Sequence, residues 1–160
     1  MLGITVLCVG KMKETGFRQA VEEYSRRLRP YCSFQLVELP EQRLPEDPSP
    51  AQIAQALERE AGEIEKHIPA GARLVAMCVE GRQRSSEAFS ALLDRWMVQG
   101  VSRVCFLVGG SFGLDARLKA RAEDKLSMSE MTFPHSLARV MLCEQIYRAF
   151  MIREGTRYHK

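Results

Sequence analysis

The residues of this chain that could do chemistry are few, and the densest group is Gly109-Gly110-Ser111-Phe112-Gly113-Leu114, directly after the apolar run Val101 to Val108. Glycines reach positive φ and let a flat ligand press against bare backbone. The cluster has neither the G-x-G-x-x-G spacing of dinucleotide sites nor the G-x-x-x-x-G-K-[ST] spacing of triphosphate sites, so it is a ligand loop of another kind or a tight turn. His135 and Arg139 are four residues apart and project from one helical face, as do Glu144 and Arg148. For Glu144 and Arg148 a plain surface ion pair, worth about 0.3–0.5 kcal/mol, accounts for the spacing as well as a function does. His135, next to Pro134 and a candidate ligand loop, is the stronger functional candidate.

Other chemistries lack their residues. There is no G-x-S-x-G elbow and no H-E-x-x-H, and of the three histidines His67 reads as a surface residue or a helix C-terminal cap. The five cysteines (Cys8, Cys32, Cys78, Cys105, Cys143) are odd in number and widely spaced, with no C-x-x-C pair for a metal or redox centre. Cys8, Cys78 and Cys105 sit inside apolar runs and read as buried thiols acting as small hydrophobes. A response-regulator receiver would need acidic residues after the first strand, where this chain has Gly10-Lys11.

The elements that must position these residues alternate. Leu2 to Val9 is a continuous apolar, β-branched run, a strand buried on both faces as parallel sheets require. Phe17, Val21, Tyr24 and Leu28 recur at helical spacing before Pro30. A second strand, Phe34 to Leu39, leads into a loop holding Pro40, Pro45, Pro48 and Pro50. Ser49-Pro50-Ala51-Gln52 then starts a helix with a capping box, and Ile53, Leu57, Ala61, Ile64 and Ile68 mark its inner face. Leu74 to Val79 predicts a third strand, followed by a helix capped by Ser85 or Ser86 with Phe89, Leu92, Leu93, Trp96 and Met97 facing inward. Val101 to Val108 is the fourth strand, and Asp115 caps a helix from Ala116 to about Lys125. A short strand over Leu126 to Met131 and a last helix from Ser136 to Ile152 complete the order. Five strands alternating with five helices, without repeat or composition break, predict one α/β domain with a mainly parallel sheet and helices on both faces. Ligands of such sheets bind beyond the carboxyl ends of the strands, here Val79-Glu80-Gly81, Val108-Gly109-Gly110 and the run Met128 to His135.

Composition sets the class. The chain has 160 residues, 46% hydrophobic and 27% charged, the balance of a soluble globular domain. No apolar run approaches the roughly 20 residues that span a bilayer, and the N-terminus carries no secretory pattern, so the expected location is the cytosol. Net charge is only +3, but from His135 to Lys160 five basic residues (Arg139, Arg148, Arg153, Arg157, Lys160) face two acidic ones (Glu144, Glu154), so the excess lies in the last 26 residues. Such a tail is either a solvated end or a surface for phosphates.

Several of these segments taken together resemble a known family. Leu7-Cys8-Val9-Gly10-Lys11, Val79-Glu80-Gly81, Val108 to Leu114, Met131-Thr132-Phe133-Pro134-His135, Arg139-Val140, Glu144 to Ala149 and Tyr158-His159-Lys160 look like the RlmH family, small pseudouridine N3-methyltransferases of large-subunit (23S) ribosomal RNA within the SPOUT superfamily. The match runs from end to end in the family's order. The resemblance implies a SPOUT-type α/β knot, a C-terminal trefoil threaded through the sheet, with S-adenosylmethionine bent into the knotted loops and a homodimer whose active site lies between subunits. Carried over by position, it implies cofactor contacts from Met77, Gly109, Gly110, Met128, Ser129, Glu130, Met131, Thr132 and Phe133. Met77 stands where the family has leucine, a volume-conserving change.

Implied catalytic residues are His135, Arg139, Tyr158 and His159, shaping the nucleobase pocket and assisting deprotonation of an imide N3. A sulfonium methyl is already activated, so no metal is needed and the enzyme must chiefly align donor and nucleophile. With no appended RNA-binding domain and a charge of +3, the expected substrate is a folded ribosomal particle recognised partly by shape. A methyltransferase of another base or of a ribose hydroxyl, and a non-catalytic nucleotide-binding module, are the readings that compete with this one.

Overall fold

The computed structural model describes residues 1–160. Along the chain run β1 (Leu2–Val9), α1 (Thr15–Leu28), β2 (Cys32–Leu39), α2 (Pro50–His67), β3 (Arg73–Gln83), α3 (Ser86–Val98), β4 (Arg103–Val108), α4 (Ala116–Arg121), β5 (Asp124–Ser127) and α5 (His135–Arg153). The strands form one sheet in the order β2-β1-β4-β3-β5. Every pairing is parallel, so all five carboxyl ends emerge at one edge and the loops that leave them converge there.

Strand periodicity sorts the core into two layers. Ile4, Val6 and Cys8 of β1 with Val104, Phe106 and Val108 of β4 pack against Phe89, Leu92 and Trp96 of α3 and Leu142, Ile146 and Phe150 of α5. The alternate residues Leu7, Val9, Cys105 and Leu107 face Ala61 and Ile64 of α2 and Leu118 of α4. Each fully buried Leu, Ile or Phe contributes about 1.5–3 kcal/mol, so the central strands anchor the whole carboxyl edge. A third cluster, Met12, Val21 and Cys143, holds α1 against α5.

Helix starts follow local sequence. Ser49 accepts from the Gln52 amide while the Gln52 side chain accepts from the Ser49 amide, a complete capping box. Ser85 caps α3 through the Ala88 amide, and Asp115 caps α4 through the Arg117 amide at 2.8 Å.

Strand β2 starts two residues earlier than the sequence predicts, at Cys32, and β4 two later, at Arg103; the boundaries that shape the carboxyl edge differ as follows. Helix α4 stops at Arg121 instead of Lys125, because the Glu123 amide leaves the helix and donates to the carbonyl of Leu74, 3.0 Å away. Strand β5 consequently begins at Asp124 and ends at Ser127, where residues 128–131 curl on themselves through Ser127 Oγ to the Ser129 carbonyl and the Met131 amide to Ser129 Oγ. Strand β3 runs on to Gln83 because it regains β5 after a slip of register: Met77 and Arg82 both pair with Leu126. The intervening Cys78 to Gly81 bulge out of the ladder at the carboxyl edge.

Candidate functional site

Three of these irregular segments enclose one cavity of about 370 Å³. The bulge in β3 supplies Met77, Cys78, Val79 and Glu80, the end of β4 and the turn after it supply Val108 through Leu114, and the end of β5 and the segment after it supply Leu126 through Ser129 with Met131, Thr132 and Phe133. Ala138 and Leu142 of α5 close the floor, and the exposed His135 stands at its edge. Nothing but the three converging strand ends could assemble residues this far apart in sequence, which is why the cavity sits at the carboxyl edge.

The turn after β4 is built for close approach. The Gly113 amide donates to the Gly110 carbonyl at 3.0 Å, and Gly113 holds φ at 79°, which disfavours any residue with a Cβ. A Cβ on Gly109 would lie 2.4 Å from both the carbonyl carbon and oxygen of Gly113, so the turn can fold over itself only with glycine at 109. The outcome is a wall of bare backbone beside an apolar floor, which suits a flat, partly apolar ligand. At the rim, Lys119 Nζ and Glu80 Oε1 pair at 2.6 Å, and that bond holds the Glu80 carboxyl below its ordinary range.

Of the residues singled out from the sequence, Met77, Gly109, Gly110, Met128, Ser129, Met131, Thr132, Phe133 and His135 line this cavity. Glu130 is exposed and does not. Arg139 lies elsewhere: its side chain is 2% exposed, Nη2 donates to the Val9 carbonyl at 2.7 Å and Nη1 to Glu38 Oε2 at 3.3 Å. One turn of α5 beyond His135, it points to the ends of β1 and β2 instead of into the cavity.

The tail residues lie across a shared wall. Leu126, Ser127 and Met128 also line a second cavity of about 240 Å³, whose polar rim includes Arg84, Ser86, Glu144 and Gln145. The Tyr158 hydroxyl donates to Glu144 Oε1 at 3.0 Å, and Arg148 donates to the same oxygen through Nε at 2.9 Å and Nη2 at 2.5 Å. The pair of Glu144 and Arg148 is therefore a partly buried node that holds the tail, more than the surface ion pair its spacing alone would be. Tyr158 lies beneath the Arg148 guanidinium, 4.7 Å from its ring centre, and edge-on to Tyr147. Burial first, and the Glu144 bond second, push the Tyr158 hydroxyl well above its ordinary 10, so it stays protonated at neutral pH. His159 contacts Arg148 Nη1 through Nδ1 at 3.2 Å and Glu87 through Nε2 at 2.7 Å, an arrangement in which Nδ1 faces a donor and Nε2 an acceptor.

Sequence reasoning missed Cys78, which is half-buried and lines the cavity instead of sitting in the core. It missed Lys119 and Ser127 as well. Cys78 was legible only as part of an apolar run, and no local pattern announces a bulge that depends on pairing with β5. The buried reading holds for Cys8 and Cys105, whose thiols burial pushes up to about 12. His67 contacts the Glu63 carbonyl on the exposed end of α2, as a C-terminal cap does.

The chain resembles known proteins along its whole length. Residues 2–159 match the family described as "Predicted SPOUT methyltransferase". The chain is 43% identical over 157 residues to the Exiguobacterium sibiricum protein named Ribosomal RNA large subunit methyltransferase H, covering 98% of this chain and 99% of that one. It is 45% identical over 159 residues to the protein of the same name from Bifidobacterium animalis subsp. lactis, covering 99% of this chain and 100% of that one. Among solved structures, a probable methylase family protein from Haemophilus influenzae Rd KW20 shares the fold at a TM-score of 0.53 and 14% identity, over 100% of this chain and 72% of that one.

Proposed function

The chain belongs to the SPOUT methyltransferase family, and from that premise we propose that it methylates N3 of a pseudouridine in large-subunit ribosomal RNA, on the assembled ribosome, with S-adenosylmethionine as donor. The observation that carries this reading is the cavity where the β3 bulge, the glycine turn and residues 128–133 meet. Its residues fit such a donor. The Gly109 to Gly113 turn offers bare backbone that a Cβ would fill, Met77, Leu114 and Leu142 offer an apolar bed for an adenine ring, and neither a cluster of cations nor a phosphate-type loop competes with a ligand whose sulfonium is positive.

When bound, S-adenosylmethionine supplies a methyl group already activated on sulfur. What remains for the chain is alignment of the base with the donor, the N3 proton leaving to solvent water at the open mouth of the cavity. His135, exposed at the edge of the same cavity as the donor loop, shapes the approach of the base. Tyr158, held protonated, serves as a hydrogen-bond donor; it fixes Glu144 at the rim of the second cavity, and His159 with Arg148 completes the tail that receives the nucleotide. Arg139 acts through position, by fixing the start of α5 that carries His135.

Within this reading residues 1–160 form one SPOUT domain, and the family resemblance adds a C-terminal trefoil knot. A homodimer is supported by the mouth of the cavity, where Val79, Phe112 and Met131 are three of the five exposed large apolar side chains. A second copy would cover them and bring its own tail to the donor. No helix is long and apolar enough to cross a membrane, and a ribosomal substrate supports a cytoplasmic location. Incubation with methyl-labelled S-adenosylmethionine and ribosomes, followed by mass spectrometry of the RNA, should put one label on a large-subunit pseudouridine. Label on a ribose, on tRNA or nowhere would overturn the reading.

A further inference from the structure

The turn that walls the cavity is held from outside by a single carboxylate. Glu41, two residues past β2, accepts two hydrogen bonds on one oxygen, from the Ser111 amide at 3.0 Å and the Ser111 hydroxyl at 2.9 Å. These are the only side-chain hydrogen bonds made by residues 109–113. Phe112 at the tip is 47% exposed and gives the turn no anchor in the core. The contact is close: a Cβ on Gly110 would lie 2.6 Å from the same Glu41 oxygen, so the carboxylate rests directly on the backbone that faces the ligand on its other side.

Glu41 is itself held. Its neighbour Gln42 donates its amide to Glu60 Oε2 at 2.9 Å, and Glu60 is only 7% exposed on α2. A rigid chain of contacts therefore runs from α2 through Gln42 and Glu41 to Ser111 and the glycine turn, bridging 70 residues of sequence.

We propose that Glu41 is a positioning residue that latches the glycine turn in its ligand-ready shape, so that the methyl donor meets a wall already ordered. The inference rests on the reading of this cavity as the donor site. Both Ser111 donors are taken by the latch, which leaves the backbone of Gly109 and Gly110 as the surface that the donor touches. An unlatched turn has glycines at three of its five positions and would have to be ordered at each binding event, which weakens affinity without altering the aligned complex.

The test is calorimetric titration of S-adenosylmethionine into wild-type protein, Glu41→Ala and Glu41→Gln, with steady-state methylation and amide hydrogen exchange of residues 110–113 alongside. Glu41→Ala should raise the donor Kd and KM roughly fivefold to tenfold, in line with hydrogen bonds to a charged but exposed acceptor, and leave kcat at saturating donor within about twofold. Exchange of the Ser111 and Gly113 amides should accelerate. Glu41→Gln keeps the accepting oxygen and should restore both affinity and protection. A donor Kd unchanged in Glu41→Ala, or a glutamine variant as weak as the alanine one, overturns the latch, as does unchanged exchange. If the wild type shows no donor binding, the donor-site reading fails, and the exchange comparison still decides whether Glu41 orders the turn.

Discussion

Arg139 Nη2 donates to the backbone carbonyl of Val9 across 2.7 Å, joining the first turns of α5 to the carboxyl end of β1. The same guanidinium reaches Glu38 at the end of β2, and Glu38 also accepts from the amide of Met12. One planar fork thus fixes three segments at the edge where the cavity opens, and it does so from a site closed to solvent. Its consequence for His135, four residues earlier, is orientation of the helix end and not contact.

Arg139→Met should therefore destabilise the protein by about 3 kcal/mol, since it leaves the Val9 carbonyl unpaired and Glu38 without its cation. Urea unfolding measures this directly. Arg139→Lys should recover little, because an ammonium cannot hold both oxygens in the guanidinium geometry. A methionine variant as stable as the wild type would show the fork to be dispensable.

The sheet, the order of its elements and the glycine turn were all legible in sequence, and the reasons are local. Leu2 to Val9 is apolar but for Thr5, Ser49 to Gln52 writes its own cap, and Gly109 follows a strand without a break. What could not be read depends on partners far away. The bulge that turns Cys78 into the cavity exists because Met77 and Arg82 compete for Leu126. The spacing of His135 and Arg139 gave a shared face, but only packing against β1 turns the arginine inward. Glu41 and Ser111 are 70 residues apart and carry no pattern that links them.

Thiol labelling should separate the cysteines by the same logic. Burial pushes Cys8, Cys32, Cys105 and Cys143 up to about 12, so almost no thiolate exists there at pH 8. Cys78 is also raised, by burial first and Glu80 second, but it opens onto the cavity. N-ethylmaleimide should modify Cys78 ahead of the other four in the folded protein, and S-adenosylmethionine should slow that reaction. Mass spectrometry that finds Cys32 or Cys143 labelled as fast as Cys78 would contradict this cavity geometry.

Glu87 reports on tail docking. Its hydrogen bond from His159 lowers the carboxyl from the ordinary 4.5 to about 2. A depressed folded pKa means that the contact adds stability above pH 4.5 and loses it as pH falls from there towards 2. Carboxyl NMR shifts of Glu87 should titrate near pH 2 in the wild type, and His159→Ala should return the midpoint towards 4.5. A wild-type midpoint already at 4.5 would mean that the tail does not rest on α3 in solution.

On the proposed reading the tail allows catalysis to be tested apart from donor binding, because Leu126 to Met128 lie between the cavity beside Glu144 and the one beside the glycine turn. Burial first and the Glu144 bond second raise the Tyr158 hydroxyl above its ordinary range, and the hydroxyl donates to Glu144. Tyr158→Phe preserves the ring between Arg148 and Tyr147 and removes only that bond. Loss of a hydrogen bond to a charged group corresponds to about tenfold in rate if the bond is needed in the transition state. Methylation of ribosomes by Tyr158→Phe should fall by about that factor, and by the combined Tyr158→Ala and His159→Ala replacement to background, with the Kd for S-adenosylmethionine within about twofold of wild type in both. Donor affinity that collapses together with activity would place the tail in the donor cavity itself, and full activity in the double variant would remove it from the reaction.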